Sequence, residues 1–555
     1  MVNKDIFSTR TDKKTETTNA AGGPAYNFNA KHALAQIAST NCFNGTYYTN
    51  ARANLEIAKN AVEALKEDPV FIAKTAIYAR KKAFMKDMPA FLTVMLVDID
   101  TQLFRKVFPL VIDNGKMLQN FVQIALSGKA GRKINLSRGT CKHAFRDWFH
   151  NHTSEEIFRA SVGKPSMRDI LRLTHPKPEN EEKATLYAYL KGAEIVKEHT
   201  EEGLSPEGVF RTYDKEGNVF VNNKGVRYSH GWRNLPEIVK SYEAYKANKE
   251  GPIPNVDFRF LASLNLSKEE WTEIARNAPW HMTRMNLNTF ERHGVFENKE
   301  VVQLIADRLR NADQIKKSKV FPYQLLAAYM NSDAPHEIKE ALQDAMELAT
   351  ENVPAIEGKV YICPDVSGSM SCSITGYRRG STSKILCVEA AALFSSCILR
   401  KNPEAKIMPF DTSLHEHSLN PRDTVLTNAK NLATFGGGGT NCSLPLRELN
   451  NNNSEGDVVI YISDYESWID QNQYGYGYDD DTGMAAEWDV FKQRNPNAKL
   501  ICIDLTPREN TQNKERTDVL QVGGFSDQVF EVINNFLTTG HSIDHWIEEI
   551  EKTEL

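Results

Sequence analysis

One apolar run that ends on a carboxylate and two hydroxyls constrains this chain most. Residues Val360–Cys363 are all apolar or prone to β structure, which is typical of a strand covered on both faces. The run stops at Pro364, and Asp365, Ser367 and Ser369 follow at alternate positions. Three short oxygen ligands with this spacing suit a small hard cation such as Mg²⁺. The segment therefore predicts a buried strand followed by a metal-binding loop.

Two later loops supply the same kind of ligand. Thr440 follows four consecutive glycines, and Asp464 lies at the end of the apolar run Val458–Ile462. We expect Asp365, Ser367, Ser369, Thr440 and Asp464 to bind Mg²⁺ or another divalent cation together. The D-x-S-x-S pattern alone is weak, because Asp and Ser are common in turns. An ordinary polar turn, or the right fold around an empty site, remain the alternatives.

From residue 354 onward the pattern alternates between strands and helices. The predicted strands are Val360–Cys363, Ile407–Phe410, Val458–Ile462 and Leu500–Leu505, and the predicted helices are Lys384–Leu399, Met484–Arg494 and Ser526–Leu537. This alternation predicts an open parallel sheet with helices on both faces, in which ligands bind at the carboxyl ends of strands.

Before residue 354 the apolar residues recur at helical spacing. Predicted helices include Leu55–Leu65, Val70–Ala79, Pro89–Leu96, Leu103–Ile112, Met117–Leu126, Cys141–Phe149, Ser154–Ala160, Ser166–Thr174 and Glu181–Glu198. Short helices joined by tight connections predict stacked helix pairs, an α-solenoid. The alternating residues of Phe210–Tyr228 predict a small β-hairpin insertion.

The composition is that of a soluble globular protein. The 555 residues are 41% hydrophobic and 25% charged, which is ordinary for such proteins and suggests roughly two to four domains. The chain has no run of about 18 apolar residues and no secretory signal at its start, so we expect no membrane segment. Eight scattered cysteines without a C-x-x-C motif indicate reduced thiols and a cytoplasmic location.

The charge is unevenly distributed along the chain. The net charge of −5 combines −12 from Glu357 onward with +7 before it. The segment Lys129–Lys177 alone holds 11 basic and 4 acidic residues, which favours a nucleic-acid partner. Phe145, Trp148, Phe149 and His150 lie within it; they could stack on bases, but core packing is the favoured interpretation.

Several stretches resemble the bacterial branch of the Ro family, whose members join a TROVE domain to a von Willebrand factor A domain. They include MKDMPAFL, DILRLTHPKP, APWHMTRMNLNTF and VFPYQLLAAY in the helical half, and PFDTSLHE and GGGGTNCSLPL after it. The five oxygen ligands resemble the metal-ion-dependent adhesion site of A domains. The resemblance implies an all-α HEAT-like ring over 25–353 and an α/β Rossmann-like A domain over 354–541. Residues 1–24 are then a mobile segment, and 542–555 an acidic helix or tail.

The resemblance also implies a function. Ro proteins bind single-stranded 3′ ends of misfolded or structured RNA in the ring's hole and small Y RNAs on the outer surface. They act in RNA quality control, in bacteria with an exoribonuclease. We expect a monomer with no enzymatic activity. The expected RNA contacts are Lys129, Arg132, Lys133, Arg138, Lys142, Arg146, Arg159, Lys164, Arg168 and His175.

Two features complicate these expectations. Animal Ro proteins carry a Lys and an Arg where Phe158 and Val162 stand here, which puts the detailed contacts in the hole in doubt. Without the resemblance, His175 would be a helix-end histidine bonded to backbone carbonyls. The alternative function is a metal-dependent protein-interaction module whose helical repeats bind a protein partner. A Mg²⁺-dependent hydrolase is less favoured, because the chain lacks the P-loop pattern.

Overall fold

A computed structural model describes most of the chain. The described residues are 15, 17–40, 43–44, 50–195, 210–211, 234–249, 251–318, 320, 322–353, 355–377, 384–416, 419–468, 482–506, 510–513, 515–524, 528–539 and 544–555. They form two compact units. The first comprises the chain up to Met88 together with Ala275–Glu554, and the second comprises Pro89–Ile274 with the terminal Leu555.

The described residues between 30 and 349 are mainly helical, as predicted. Its helices are α1 Ala30–Thr40, α2 Ala51–Ala64, α3 Pro69–Lys81, α4 Asp87–Ile99, α5 Thr101–Val111, α6 Gly115–Ser127, α7 Gly139–Asn151, α8 Ser154–Arg159, α9 Met167–Thr174, α10 Glu181–Leu190, α11 Glu237–Asn248, α12 Phe258–Leu261, α13 Lys268–Asn277, α14 Trp280–Met285, α15 Leu287–Arg292, α16 Lys299–Leu309, α17 Ala312–Ser318, α18 Pro322–Asn331 and α19 His336–Ala349.

Side-chain caps explain where several of these helices begin. Asn50 accepts hydrogen bonds from two backbone amides of α2, and Asp68 caps α3 just before a proline at the first helical position. Thr153 and Ser166 open α8 and α9 with capping boxes, in which an acidic side chain bonds back to the cap amide. The caps fix short helices that have little intrinsic stability of their own.

The strands fall into three sheets. They are β1 Thr17–Thr18, β2 Pro24–Asn27, β3 Glu194–Ile195, β4 Phe210–Arg211, β5 Val360–Pro364, β6 Lys406–Ile407, β7 Val458–Ser463, β8 Lys499–Asp504, β9 Asn510–Thr511 and β10 Val519–Gly523. The main sheet has the order β10-β8-β7-β5-β6 and all its pairs are parallel. Around it lie α20 Cys387–Lys401, α21 Val425–Leu432, α22 Leu444–Asn451, α23 Gly483–Arg494, α24 Gln528–Thr539 and α25 His545–Glu551.

The main sheet is covered on both faces, as the continuous apolar strands predicted. One face places Tyr461 and Cys363 in a core with Trp488 and Phe491 of α23. On the other face α20 packs on β5 and β7, and α24 packs on β8 and β10. All five residues of β5 are buried. The predicted fold class, a helical region followed by an α/β A domain, is confirmed.

The ends of two elements, and one whole strand, differ from the sequence prediction. The helix predicted to reach Glu198 ends at Leu190, where Gly192 has a φ of +88° and the chain turns into β3. The strand predicted over Ile407–Phe410 is assigned only as far as Ile407. The amides of Met408 and Phe410 still donate to the carbonyls of Ile362 and Pro364 at 2.8 and 3.1 Å, so the pairing with β5 continues beyond the assigned strand. Strand β10 is missing from the prediction, because its central Gln521 interrupts a short apolar run.

A small sheet joins the start of the chain to the A domain. Strand β2 pairs with β1 on one side and with β9 on the other, both antiparallel. Thr17, Thr18 and Pro24 of this sheet fall in the segment expected to be mobile, whereas 1–14 and 16 lie outside the described residues. Most of the predicted hairpin in 210–228 also lies outside them. Among the described residues, no helix is long and apolar enough to cross a membrane.

Candidate functional site

The predicted metal ligands meet at the point where the sheet order reverses. From β5 the chain goes to β6 on one side and then to β7 on the other. A crevice forms between strands whose connections leave in opposite directions, and ligands bind there in open α/β sheets. Asp365 directly follows β5 and Asp464 directly follows β7, so the two carboxylates lie at the ends of neighbouring strands.

The first loop is tightly folded around Asp365. One carboxylate oxygen accepts a hydrogen bond from the Ser367 amide at 2.8 Å, and the other accepts one from the Ser463 hydroxyl. The hydroxyl oxygens of Ser367 and Ser369 lie 3.1 Å apart. All three predicted ligands of this loop are buried, with relative exposures of 0 to 4%. The loop therefore gathers one carboxylate and two hydroxyls away from bulk water.

The glycine loop packs directly against the first loop. The Gly437 amide donates to the Val366 carbonyl at 2.9 Å, and the Gly438 amide donates to Asp411 at 3.1 Å. Gly436 has a φ of +87°, and a Cβ there would lie 1.9 Å from the Val366 carbonyl oxygen. Only glycine fits this approach, which brings Thr440 to a buried position at 1% exposure.

The third loop closes the cluster through backbone contacts. The carbonyl of Thr440 accepts hydrogen bonds from the Trp468 amide at 3.2 Å and the Ser467 hydroxyl at 3.4 Å. Tyr465, the residue after Asp464, has a φ of +55°, which is rare for a residue with a side chain. The three predicted loops are thus joined to one another, and the five predicted ligands are all buried.

The electrostatics of the cluster match the donor set of a hard cation. Burial and the negative charge of Asp464 raise the pKa of Asp365 to about 7. A cation between the two carboxylates would remove this repulsion. The described residues contain no group of three or more His, Cys, Asp or Glu placed to hold a metal, so an ion here would depend on the hydroxyl ligands. Two carboxylates with hydroxyls suit Mg²⁺, which binds few carboxylates and keeps water ligands.

Two supporting side chains are absent from the sequence prediction. Ser463 holds the second oxygen of Asp365, and Asp411 holds the glycine loop while its other oxygen lies 3.0 Å from His415. Asp411 follows the β6 segment at the same end of the sheet, which is the signal that marks it. Its role becomes visible only when the glycine loop folds over it.

The second candidate site is the basic surface, defined as the ten predicted RNA contacts. Nine of them are exposed and Arg159 is half-buried. Three pair with carboxylates, at 2.6 Å for Arg132 with Asp98, 2.7 Å for Arg146 with Asp147, and 2.6 Å for Arg159 with Glu155. Within the described parts of the chain, no carboxylate lies within 4 Å of the charged groups of Lys129, Lys133, Arg138, Lys142, Lys164 and Arg168.

The aromatic residues of this segment belong to the core. Phe145, Trp148 and Phe149 have exposures of 0 to 4%, in agreement with the favoured interpretation, whereas His150 is half-buried. His175 caps the end of α9 in a left-handed conformation with a φ of +47°. Its imidazole is exposed and makes no hydrogen bond to the described residues, so backbone carbonyls do not occupy it.

Comparisons with known proteins agree with this architecture. The TROVE domain model matches residues 252–353, and the Ro60 vWA domain model matches residues 359–537. The RNA-binding protein RO60 of Deinococcus radiodurans is 22% identical over 553 residues, which covers 94% of this chain and 95% of that protein. The RNA-binding protein RO60 of Caenorhabditis elegans is 20% identical over 460 residues, covering 75% and 68%.

A solved structure has the same fold. The crystal structure of the Deinococcus radiodurans RO (RSR) protein superposes with a TM-score of 0.58 at 17% identity, over 92% of this chain and 99% of that one. The chain therefore has a TROVE domain followed by a Ro60 vWA domain, which is the domain architecture of the Ro family, and it aligns along most of its length with two RO60 proteins.

Proposed function

We propose that this protein binds RNA through the basic surface. The observation that carries the proposal is the group of six exposed cations without a carboxylate partner in the described residues, in a chain whose net charge is −5. Such cations neutralise phosphates and release bound counterions, which dominates nucleic-acid affinity. The relatives named RNA-binding protein RO60 support the same function.

The finer proposal concerns the kind of RNA. We propose that the protein binds single-stranded 3′ ends of structured or misfolded RNA, and small Y-like RNAs at a separate surface. It would act with an exoribonuclease in a cytoplasmic ribonucleoprotein. The family resemblance supports this proposal, together with the exposed and unbonded imidazole of His175.

The departure from the animal pattern has a structural reason. Phe158 is 1% exposed and packs on Phe260, with ring centroids 4.8 Å apart, so this position serves the core. The carbonyl of Val162 accepts a hydrogen bond from Arg259 at 2.8 Å. We propose that nearby cations, the exposed Lys164 and Arg168 and the half-buried Arg159, supply the contacts that the animal proteins make from these positions.

A gel-shift titration tests the RNA proposal. A structured RNA with and without a single-stranded 3′ tail is titrated with wild-type protein at two salt concentrations. We expect preference for the tailed RNA and a steep loss of affinity with salt. In the triple variant K129E/K133E/K142E the plot of log K against log salt should become shallower, with a slope smaller in magnitude by roughly 2. The reason is that each lost phosphate contact removes about 0.7–0.9 from the slope.

A matched variant controls for the change in net charge. Lys299, Lys316 and Lys317 are exposed lysines on α16 and α17, outside the basic surface. K299E/K316E/K317E alters the charge equally and should keep the wild-type salt slope. Equal effects of both triple variants, or no RNA binding by the wild type, would refute the basic surface as the RNA site. Binding indifferent to the tail would refute only the 3′-end proposal.

We further propose that the buried cluster binds Mg²⁺. The residues that would hold it are Asp365, Ser367, Ser369, Thr440 and Asp464, directly or through water. The ion would supply positive charge and an open position for an acidic group from a partner, which is the metal-dependent protein-binding function left open by the sequence. We propose binding alone at this site, because neither hydroxyl loop carries an activated nucleophile.

Thermal unfolding tests the metal proposal. After chelation, the wild-type melting temperature should rise with the logarithm of the Mg²⁺ concentration above Kd. The corresponding gain in unfolding free energy is about 2.7 kcal/mol at 100 times Kd. Thr440→Val keeps the shape but removes the hydroxyl, and should lose most of the rise. Ser371→Ala, in the same first loop but outside the ligand pattern, is the control and should keep it. Identical responses of the two variants would exclude the proposed ligand set.

A further inference from the structure

Helices α5 and α7 flank a cleft of about 800 Å³ in the second unit. This volume is in the range of sites that hold small ligands. Phe108 and Trp148 line it and are almost fully buried, with exposures of 1 and 4%. Exposed Arg105, His143 and Arg146 line it as well. Asp147 also lines the cleft and pairs with Arg146 at 2.7 Å. The cleft therefore combines an aromatic interior with a border that is basic apart from this one carboxylate.

A histidine lies flat on the buried tryptophan of the cleft. The rings of His152 and Trp148 are stacked, with centroids 3.9 Å apart and an interplanar angle of 20°. His152 Nδ1 donates to the Trp148 carbonyl at 2.8 Å, and the Trp148 indole N–H donates to the Ile112 carbonyl at 2.8 Å. Both rings are held in place before any ligand arrives. His152 is half-buried and lines the cleft, so part of its surface is accessible beside the buried indole.

A proline leaves a hydrogen-bond acceptor at the same place. Pro109 stands inside α5 and lines the cleft. It has no N–H, so the carbonyl of Arg105, four residues earlier, receives no helical hydrogen bond from residue 109. A carbonyl has two lone pairs, so the Arg105 carbonyl, which lacks this donor, can accept from an amino or imino group of a base.

We propose that this cleft binds one unstacked nucleotide of a single-stranded RNA segment. The base stacks on His152, and the phosphate is held by Arg105 and His143, with Arg146 contributing beyond its pair with Asp147. An aromatic platform with cations beside it fits a nucleobase joined to a phosphate, whereas an acidic peptide offers charge without a ring. The inference rests on the proposed RNA binding and adds a specific pocket to it.

Two substitutions separate stacking from hydrogen bonding at His152. His152→Phe keeps an aromatic ring and loses the imidazole contacts with the carbonyls of Trp148 and Asp113, at 2.8 and 3.4 Å. His152→Gln keeps an N–H donor and loses the ring. Removing one base-stacking platform weakens single-strand binding by about 10-fold, within the usual 1–3 kcal/mol. We therefore expect His152→Phe to bind within about 2-fold of wild type and His152→Gln to lose about 10-fold.

The probe is a single-stranded RNA decamer of uridines with one central 2-aminopurine. Uridine stacks weakly, so the purine analogue should enter the cleft, and its fluorescence falls when it stacks. Full-length wild type and His152→Phe should quench it, and His152→Gln should not. A blunt RNA duplex of the same length has no unstacked base and should bind all three proteins equally. Equal melting temperatures establish that the variants are folded.

The outcomes separate this inference from the proposed function. If the wild type binds both RNAs and His152→Gln does so with equal affinity and quenching, the nucleotide cleft is refuted and RNA binding stands. If a decaglutamate peptide displaces the probe as well as unlabelled RNA does, the cleft is a general anion site and the inference is refuted. Absence of wild-type binding to either RNA refutes both proposals.

Discussion

The Gly368 amide donates to the Gly438 carbonyl across 2.8 Å, and this bond joins the loop of Asp365 to the loop of Thr440. Gly438 also donates its own N–H to Asp411 at 3.1 Å. One glycine residue thus connects the loops that follow β5 and β6. Because the connections involve backbone groups, the relative placement of the buried ligands is built into the fold.

Alanine at two adjacent glycines should have unequal effects. Both Gly436 and Gly437 have positive φ, but a Cβ at Gly436 would clash with Val366, whereas one at Gly437 meets nothing within 4 Å. Gly437→Ala should lose about 1–2 kcal/mol of unfolding free energy from backbone strain alone. Gly436→Ala should lose more unfolding free energy than Gly437→Ala. It should also lose the stabilisation by Mg²⁺. Urea unfolding with and without Mg²⁺ measures both, and equal losses would contradict the packing described.

Asp365→Asn should stabilise the metal-free protein. Burial and the negative charge of Asp464 both disfavour the ionised form of Asp365. The amide keeps the size of the side chain and carries no charge, so it removes both penalties. With EDTA we expect a gain of about 1 kcal/mol, seen as a melting temperature higher by a few degrees. With Mg²⁺ the order should reverse, because only the wild type keeps the ligand. A variant less stable than wild type in EDTA would count against the repulsion.

Arg516→Gln should destabilise the A domain in a pH-dependent way. Burial opposes ionisation of Asp518, but hydrogen bonds of 2.8 and 2.9 Å from Arg516 and its charge lower the pKa of Asp518 below its usual range. A lowered folded-state pKa contributes stability that is present above the unfolded value, near 3.9, and is lost as the pH falls through the folded value.

We therefore expect Arg516→Gln to lose about 1–3 kcal/mol at pH 7, a difference that shrinks below about pH 4. Denaturant titrations at several pH values measure it. Arg516→Lys keeps the charge without the two parallel bonds and should be intermediate. A difference independent of pH would show that packing, not the ion pair, is responsible.

Lys183→Met should unfold the second unit more easily. Lys183 is 5% exposed, donates to the carbonyls of Phe149 and His150 at 2.8 and 3.0 Å, and pairs with Glu179. Methionine leaves these acceptors at the end of α7 unsatisfied, at an expected loss of about 2–4 kcal/mol in urea unfolding. Lys142→Met, on the exposed side of α7, should change stability by less than about 0.5 kcal/mol. Similar values for both would contradict the role of Lys183.

The local spacing of apolar residues was sufficient to predict most of the strands and helices. The run Val458–Ile462 predicted β7 because a strand buried on both faces needs continuous apolar residues. It failed where the signal is short or mixed, as at β10 with its central Gln521, and where a single glycine ends a helix, as after α10. The exposure of Lys129, Lys133 and Lys142 followed from their charge alone.

The pairing of distant segments could not be predicted in this way. Asp365 and Asp464 are almost a hundred residues apart, and only the strand order places β5 beside β7 at the reversal point. The supporting roles of Ser463 and Asp411, and the stacking of His152 on Trp148 in a cleft, arise from contacts between elements. Apolar periodicity and ligand type are local properties, so the sequence alone determined most of the strands and helices and the kind of metal ligand predicted. Which ligands share one site depends on long-range packing, and only the tertiary structure decided it.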